Sequence, residues 1–413
     1  MPSALASASS PSPRVLSLDV LRGITIAFMI LVNDPGDWAH TYTQLDHAQW
    51  NGFTLTDLVF PNFLFLVGTS IILSLHSRIL RGASGKLDMA SRRTLAAHIL
   101  RRAAILFAID IAFGLYPHFH YTNLRLYGVL TRIALCYLVA GLLCLITQRA
   151  GRLLTLCAIL LIGYWALMRF VPVPGCGTPT HQVPILDPDC NLAAWLDRHL
   201  IGFTQRFLHT GRLYEHTRDP EGLLSTLPAI ATTLLGSVTA LWLRRTHSKT
   251  LSITQSQGVI GLLLAGFLSL AAGLLWNLSF PINKNLWTSS YVLFSAGWAL
   301  LLLALLYWLI DIRRLHETKA GKWLMWPWLV FGSNAIAVFC ISVFLVETMI
   351  WIKLLSTVGA DGKPITAWFW IYHNLFARNG STNVTSLAFA LAFVAVCFIP
   401  NWLLYRKRIF LKI

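Results

Sequence analysis

His47 stands in a short polar stretch, Asp-His-Ala-Gln-Trp-Asn-Gly, that runs directly into an apolar stretch interrupted by Asp57 and Pro61. Imidazole ionises near neutral pH and is well suited to take a proton from a nucleophile there. A carboxylate that orients the ring and steadies the imidazolium completes such a base, and Asp46 and Asp57 are both near enough in sequence to serve. Ionisable groups beside lipid are costly, so these are expected to face protein or water. The spacing therefore predicts an active site centred on His47 at one membrane face. Asp57 also suits the start of the helix that follows, where it would satisfy orphan N–H groups, and the two roles are compatible. Residues 34–56 contain no Lys or Arg but carry Asp34, Asp37, His40, Asp46 and His47, a surface attractive to an amine-bearing substrate.

A set of membrane helices must position these residues. The chain has 413 residues, 56% hydrophobic and 12% charged, and apolar runs recur from end to end. That composition predicts an all-α polytopic membrane protein, because continuous runs exclude the short alternating segments of a β-barrel. Ten transmembrane spans are predicted, at 18–33, 57–76, 99–116, 127–147, 153–171, 223–243, 259–276, 287–310, 328–352 and 384–405. Of the 33 Lys and Arg, 22 fall on the side of both termini and ten on the other, with Arg132 inside a span. This asymmetry places both termini in the cytoplasm and accounts for the net charge of +16 without nucleic acid. Residues 1–15 read as a disordered cytoplasmic tail and 16–413 as one membrane domain.

The long outer loop, 172–222, holds Cys176 and Cys190, which an oxidising compartment would pair; their spacing is not that of a zinc site. Within it, Leu192, Trp195, Leu196, Leu200, Phe203 and Phe207 share one helical face, with Asp197, Arg198, Gln205 and Arg206 elsewhere. That pattern predicts a helix lying in the interface, either as a lid or simply packed in the loop. The loop ends in Asp219-Pro-Glu-Gly, an acidic helix start. His118 and His120 lack further ligands at metal spacing and read as interfacial histidines. Arg132, an intramembrane cation, needs a partner, and Asp110 in the preceding span is the evident one. Asp19 and Arg22 share a helix face near the cytoplasmic end. With the basic residues Arg101 and Arg102 and with Arg132, they are candidates for holding a phosphate-rich cytosolic donor. A later loop returns to the face of His47 and is dense in donors: Asn283, Lys284, Asn285, Trp287 and Ser290, which join Trp50 and Asn51 as candidates for substrate binding.

Seven ordered motifs carry a resemblance. They are Ser-Leu-Asp-Val-Leu-Arg-Gly-Ile from Ser17, Val-Asn-Asp-Pro-Gly from Val32, His-Ala-Gln-Trp-Asn-Gly from His47, the stretch Asp57 to Gly68, Gly-Val-Leu-Thr-Arg-Ile-Ala from Gly128, the stretch Asp219 to Pro228, and Pro-Ile-Asn-Lys-Asn-Leu-Trp from Pro281. Together they resemble the heparan-α-glucosaminide N-acetyltransferase family, closest to bacterial members lying near N-acetylglucosamine utilisation genes. The resemblance implies a transmembrane acyltransferase fold around a central pore, a homodimer, and residence in a bacterial inner membrane. It implies that acetyl from cytosolic acetyl-CoA passes to a glucosamine amine on the far side, where the His47 loop is periplasmic. It matches the family's catalytic histidine to His47, its asparagine to Asn33 and its aspartate to Asp57. On that reading His47 is the general base or a transient acetyl carrier, and Asn33 or Asn285 holds the developing oxyanion. An inward carrier of N-acetylglucosamine is the alternative that the same polar centre would suit, and O-acetylation of an envelope glycan is a third.

Overall fold

A computed structural model of the chain describes residues 15–81, 89–246, 254–358 and 364–411. The tail expected over 1–15 falls almost wholly outside the described residues, as does Lys86 of the basic segment. The described chain is helical, as lipid demands of a backbone that must satisfy its own hydrogen bonds. In order the helices are α1 (Leu16–Asn33), α2 (Val59–Arg81), α3 (Met89–Leu115), α4 (Val129–Ile146), α5 (Ala150–Phe170) and α6 (Leu192–Leu208). There follow α7 (Thr226–Thr246), α8 (Gln255–Asn277), α9 (Ser289–Leu306), α10 (Lys319–Ser333), α11 (Ala335–Trp351), α12 (Ala367–Ile371) and α13 (Asn383–Arg406). A small antiparallel hairpin, Lys353–Val358 with Pro364–Thr366, joins α11 to α12.

Among the described residues eight helices are long and apolar enough to cross a membrane: α1, α2, α4, α5, α7, α8, α9 and α13. The chain is thus a multi-pass membrane protein. The single span expected at 328–352 is instead two helices, α10 and α11, bent by 77°. The break falls at Asn334, whose side chain accepts from Leu411 N (2.8 Å) and donates to Ile409 O (3.0 Å). Its backbone leaves the helical region there, at φ −134° and ψ 45°, and the side-chain bonds hold residues 409–411 against the break. The span expected at 99–116 lies in α3, which carries Arg101, Arg102 and Asp110 and so falls outside the apolar set.

Helices α2 and α7 are the most buried spans, while α5, α8 and α13 are largely open at the periphery. Two glycines allow the central pair to meet. A Cβ built on Gly68 would overlap Thr233 O, and one on Gly236 would overlap Phe65 O. Each helix therefore lends a notch to the other's backbone, the small-residue contact that membrane helices use in place of a hydrophobic drive. The carboxylate of Asp311, just beyond α9, accepts from Leu16 N and Ser17 N at 3.1 Å and caps α1. The start of α1 and the end of α9 therefore share one face of the bundle. The opposite face gathers the end of α1, the start of α9 and the connecting loops that contain His47 and Lys284.

Candidate active site

The loop 34–58 is built around one carboxylate. Asp57 is 1% exposed, yet every polar atom around it is a donor. Its Oδ2 accepts from Ala48 N (3.1 Å), Thr54 N (3.0 Å) and Thr54 Oγ1 (3.2 Å). Its Oδ1 lies 2.7 Å from His47 Nδ1. Asp57 thus reaches back over the preceding loop and does not cap its own helix, as the alternative reading had it. Asp46 does not touch the ring; its Oδ1 accepts from His47 N at 2.7 Å and fixes the backbone there. Thr54 Oγ1 closes the loop onto Asp46 O at 2.6 Å.

This geometry sets the tautomer. A carboxylate oxygen can only accept, so in the neutral ring Nδ1 carries the proton and Nε2 the lone pair. The His47 side chain is 39% exposed, so that lone pair is within reach of a substrate. Lys284 Nζ lies 3.1 Å from Nε2 and 3.3 Å from Nδ1. An atom on the Nε2 lone-pair axis would be far nearer to Nε2 than to Nδ1. The ammonium therefore sits beside the Cε1 edge or over the face and leaves that axis open. Burial pushes Lys284 below the usual lysine range; Glu221 and Asp57 oppose that shift and Arg132 adds to it.

The loops at this end lock to one another. Gly52 N donates to Ile282 O (2.8 Å), and Asn283 Nδ2 donates to Asn51 Oδ1 (3.2 Å). Trp50 Nε1 donates to Leu186 O (2.8 Å), with the Arg218 guanidinium 4.8 Å from its ring centre. Ser290 Oγ donates to Phe280 O (2.6 Å). Trp50, Asn51, Asn283 and Ser290 are thus committed to scaffold contacts. Lys284 faces His47, and Asn285 beside it is half-buried and makes no side-chain hydrogen bond among the described residues. Asn33 is exposed at the end of α1 and likewise makes none there.

Beneath the loop, Trp287 is 1% exposed and packs edge-on to Phe60 and Tyr291. Its Nε1 donates to Thr232 Oγ1 (3.2 Å), and the Arg132 guanidinium stacks 5.1 Å from the ring centre. Where the resemblance implies a central pore, this level of the bundle is filled by an indole. Arg132 does not pair with Asp110. Its Nη2 donates to Gly222 O (3.0 Å) and to Ser225 Oγ, and its Nε and Nη1 meet no acceptor among the described residues. Asp110 instead accepts from Thr131 N at 2.9 Å. Sequence order suggested the pair, but residue 132 points toward α7 while residue 131 faces α3.

Arg125 holds both acids of the segment before α7, with Nε 2.9 Å and Nη2 2.6 Å from Asp219 and Nη2 2.5 Å from Glu221. Burial raises the Glu221 carboxyl, but Arg125, Arg132 and Lys284 outweigh it and hold it below the usual range. Sequence reading had spent these two acids on a helix dipole and missed Arg125. The one available signal was that all three lie in loops expected on the same side of the membrane.

A model described as Heparan-alpha-glucosaminide N-acetyltransferase, catalytic, matches residues 14–275. The human heparan-alpha-glucosaminide N-acetyltransferase is 28% identical over 453 aligned residues, covering 98% of this chain and 61% of the human protein. The mouse protein of the same name is 30% identical over 375 residues, covering 80% of this chain and 53% of its own length. The chain belongs to the heparan-alpha-glucosaminide N-acetyltransferase family. It spans less than two thirds of the length of either relative. The matched catalytic region of the family contains His47, Asp57, Arg125 and Arg132, whereas Lys284 and Trp287 lie beyond it.

For a member of this family the donor candidates divide into two groups. Arg22 Nη1 pairs with Asp19 at 3.0 Å, and its Nη2 donates to Ser70 Oγ at 2.9 Å. Ser70 lines a small cleft of about 20 Å³ with Ser74, His98, Arg102 and Tyr137, at the end of the bundle away from His47. The Arg102 guanidinium lies 4.8 Å from the Tyr137 ring centre, and its Nε meets no acceptor among the described residues. Arg101 is exposed on the same helix. Arg132, expected with these four, belongs to the other end.

The helix expected in the long loop is α6, and its orientation explains a buried acid. Phe203 and Phe207 are exposed, and the face that packs on the protein carries Ala193, Ala194, Asp197, Ile201 and Thr204. Cys176 and Cys190, in the loop before it, are disulfide-bonded. Asp197 is 1% exposed and accepts from Leu223 N at 3.0 Å. Burial pushes its carboxyl up to about 7; the Leu223 N–H opposes this and the Asp219 charge adds to it. An unfolded carboxyl titrates near 3.9, so the folded state holds a proton that the unfolded state loses between about pH 4 and 7. The stability linked to this proton is present below the unfolded value and lost as pH rises through the folded one. Asp197→Asn keeps an oxygen for Leu223 N. It should raise Tm at pH 8, by up to a few kcal/mol of stability, and leave it unchanged at pH 4. A lower Tm at pH 8 would refute this account.

Proposed function

We propose that this protein is a membrane acetyltransferase that moves acetyl from cytosolic acetyl-CoA to the amine of glucosamine, or of a glucosamine-containing glycan, at the opposite face. One observation carries the reading: His47 is oriented through Nδ1 by a buried carboxylate, with Nε2 open toward a half-exposed site. A primary amine attacks a thioester only after losing a proton, and imidazole, with a reference pKa near 6.5, can take it at neutral pH. Asp57 then steadies the imidazolium. The Lys284 ammonium and the Asn285 amide are the donors nearest in the chain for the oxyanion of the tetrahedral intermediate.

At the other end, the Arg22 and Arg102 guanidinium groups flank a small cleft and suit the phosphates of CoA, and the cleft must widen to take the pantetheine arm. The hydrocarbon core is about 30 Å thick, so the donor's arm must thread the bundle and Trp287 must turn aside for the thioester to reach His47. In this reading α3 and the bent pair α10–α11 complete ten spans. Both termini lie in the cytosol and the His47 loop outside, in line with the Lys and Arg asymmetry.

The test is purified protein in proteoliposomes with acetyl-CoA inside and glucosamine outside. Thiol release that requires glucosamine, with N-acetylglucosamine appearing outside, is the expected result. Sugar uptake that needs no acetyl-CoA would overturn the enzyme in favour of a carrier.

A further inference from the structure

The group nearest the free nitrogen of the candidate base is itself a primary amine. Lys284 Nζ lies 3.1 Å from His47 Nε2, the distance at which an acceptor amine must stand for its proton to be taken. It hangs on a flexible four-carbon stem, so a turn about the last torsions brings an N–H onto the Nε2 lone pair. The groups around it are fixed. Asp57 holds the ring from the far side, Glu221 is tied to Arg125, and Arg132 is tied to Gly222 and Ser225. A sugar amine approaching along the open Nε2 axis therefore competes with this one for the same base.

We propose that Lys284 is a self-acetylation site, taking acetyl from acetyl-CoA when no sugar amine occupies the place beside His47. The inference rests on the acetyltransferase reading above. The Nζ lone pair attacks the thioester carbonyl carbon, the C–N bond forms and the C–S bond breaks. The amine proton passes to His47 Nε2 and from there to the departing CoA sulfur, so the products are Nε-acetyl-lysine and CoA thiol. Nothing is oxidised or reduced. Burial, which disfavours the ammonium, leaves more free amine at Lys284 than on an exposed lysine. The product is neutral, fills the acceptor's place and removes a cation from beside Glu221 and Asp57, so it should slow later turnover. The consequence is an enzyme that retires itself when donor is plentiful and acceptor is absent.

The test incubates the full-length protein with acetyl-CoA, with and without saturating glucosamine, and follows acetylation of each lysine by peptide mass spectrometry. Lys319, Lys322 and Lys407 are exposed at the other end and report the uncatalysed background. Without glucosamine, Lys284 should acetylate about a hundredfold faster than those three. Glucosamine should protect it, His47→Ala should return it to background, and lost turnover should track the acetylated fraction. Transfer to glucosamine with Lys284 at background, or Lys284 acetylation indifferent to glucosamine and to His47, overturns the proposal and leaves the enzyme reading standing. Acetyl-Lys284 without any sugar product supports the site and overturns the sugar acceptor. Failure of both transfers overturns both.

Discussion

Replacing His47 by alanine is expected to lower the rate of acetyl transfer to the sugar amine by roughly 10²–10⁴-fold. The side chain is more than a third exposed, and its backbone N–H is held by Asp46, so the loop should keep its path without the ring. The loss should fall on kcat, with KM for acetyl-CoA little changed, because the cleft beside Arg22 and Arg102 is at the other end of the bundle. A folded His47→Ala protein turning over at the wild-type rate would remove the base from the mechanism.

Asp57→Asn should cost as much by a different route. An amide offers one acceptor and one donor where the carboxylate offers two acceptors. With its oxygen toward His47, its NH₂ meets Ala48 N–H and Thr54 N–H, donor against donor. With the amide turned over, its NH₂ faces Nδ1, which must then accept, and the ring proton moves to Nε2. Neither arrangement leaves both a seated loop and a free Nε2 lone pair. The expected result is a fall in kcat of roughly 10²–10⁴-fold, with a loss of about 1–3 kcal/mol in stability from the unsatisfied donors. Asp57→Glu keeps the charge and should recover part of the stability without full activity, because the longer side chain displaces the ring. An Asp57→Asn protein within about threefold of wild type would show that the tautomer is not set here.

How much of this was legible depended on whether a contact is local. Apolar runs of membrane length gave most of the helices, because lipid leaves the backbone no other choice. His47 and Asp57, ten residues apart, could be joined on paper, and the cysteines of one outer loop could be paired. The apolar stripe of α6 was readable, but not that Phe203 and Phe207 would face outward and leave Asp197 against the protein. Arg132 was assigned to Asp110 because the two are near in sequence; its actual partners, Gly222 and Ser225, come from a segment that follows a long loop. The break at Asn334 was unreadable for a similar reason, since it is held by residues 409 and 411. Lys284 could be placed on the right face but not against the ring, because a loop residue's reach is fixed only by the loop's own hydrogen bonds.

The indole of Trp287 has a consequence for the cell as a whole. On the proposed function, a path for a two-carbon group between compartments risks short-circuiting the ion gradient across the same membrane. With an aromatic side chain wedged among α2, α4, α7 and α9 and a guanidinium stacked on it, protons and sodium meet both bulk and positive charge at that level. Cells could therefore carry many copies of this protein without losing membrane potential.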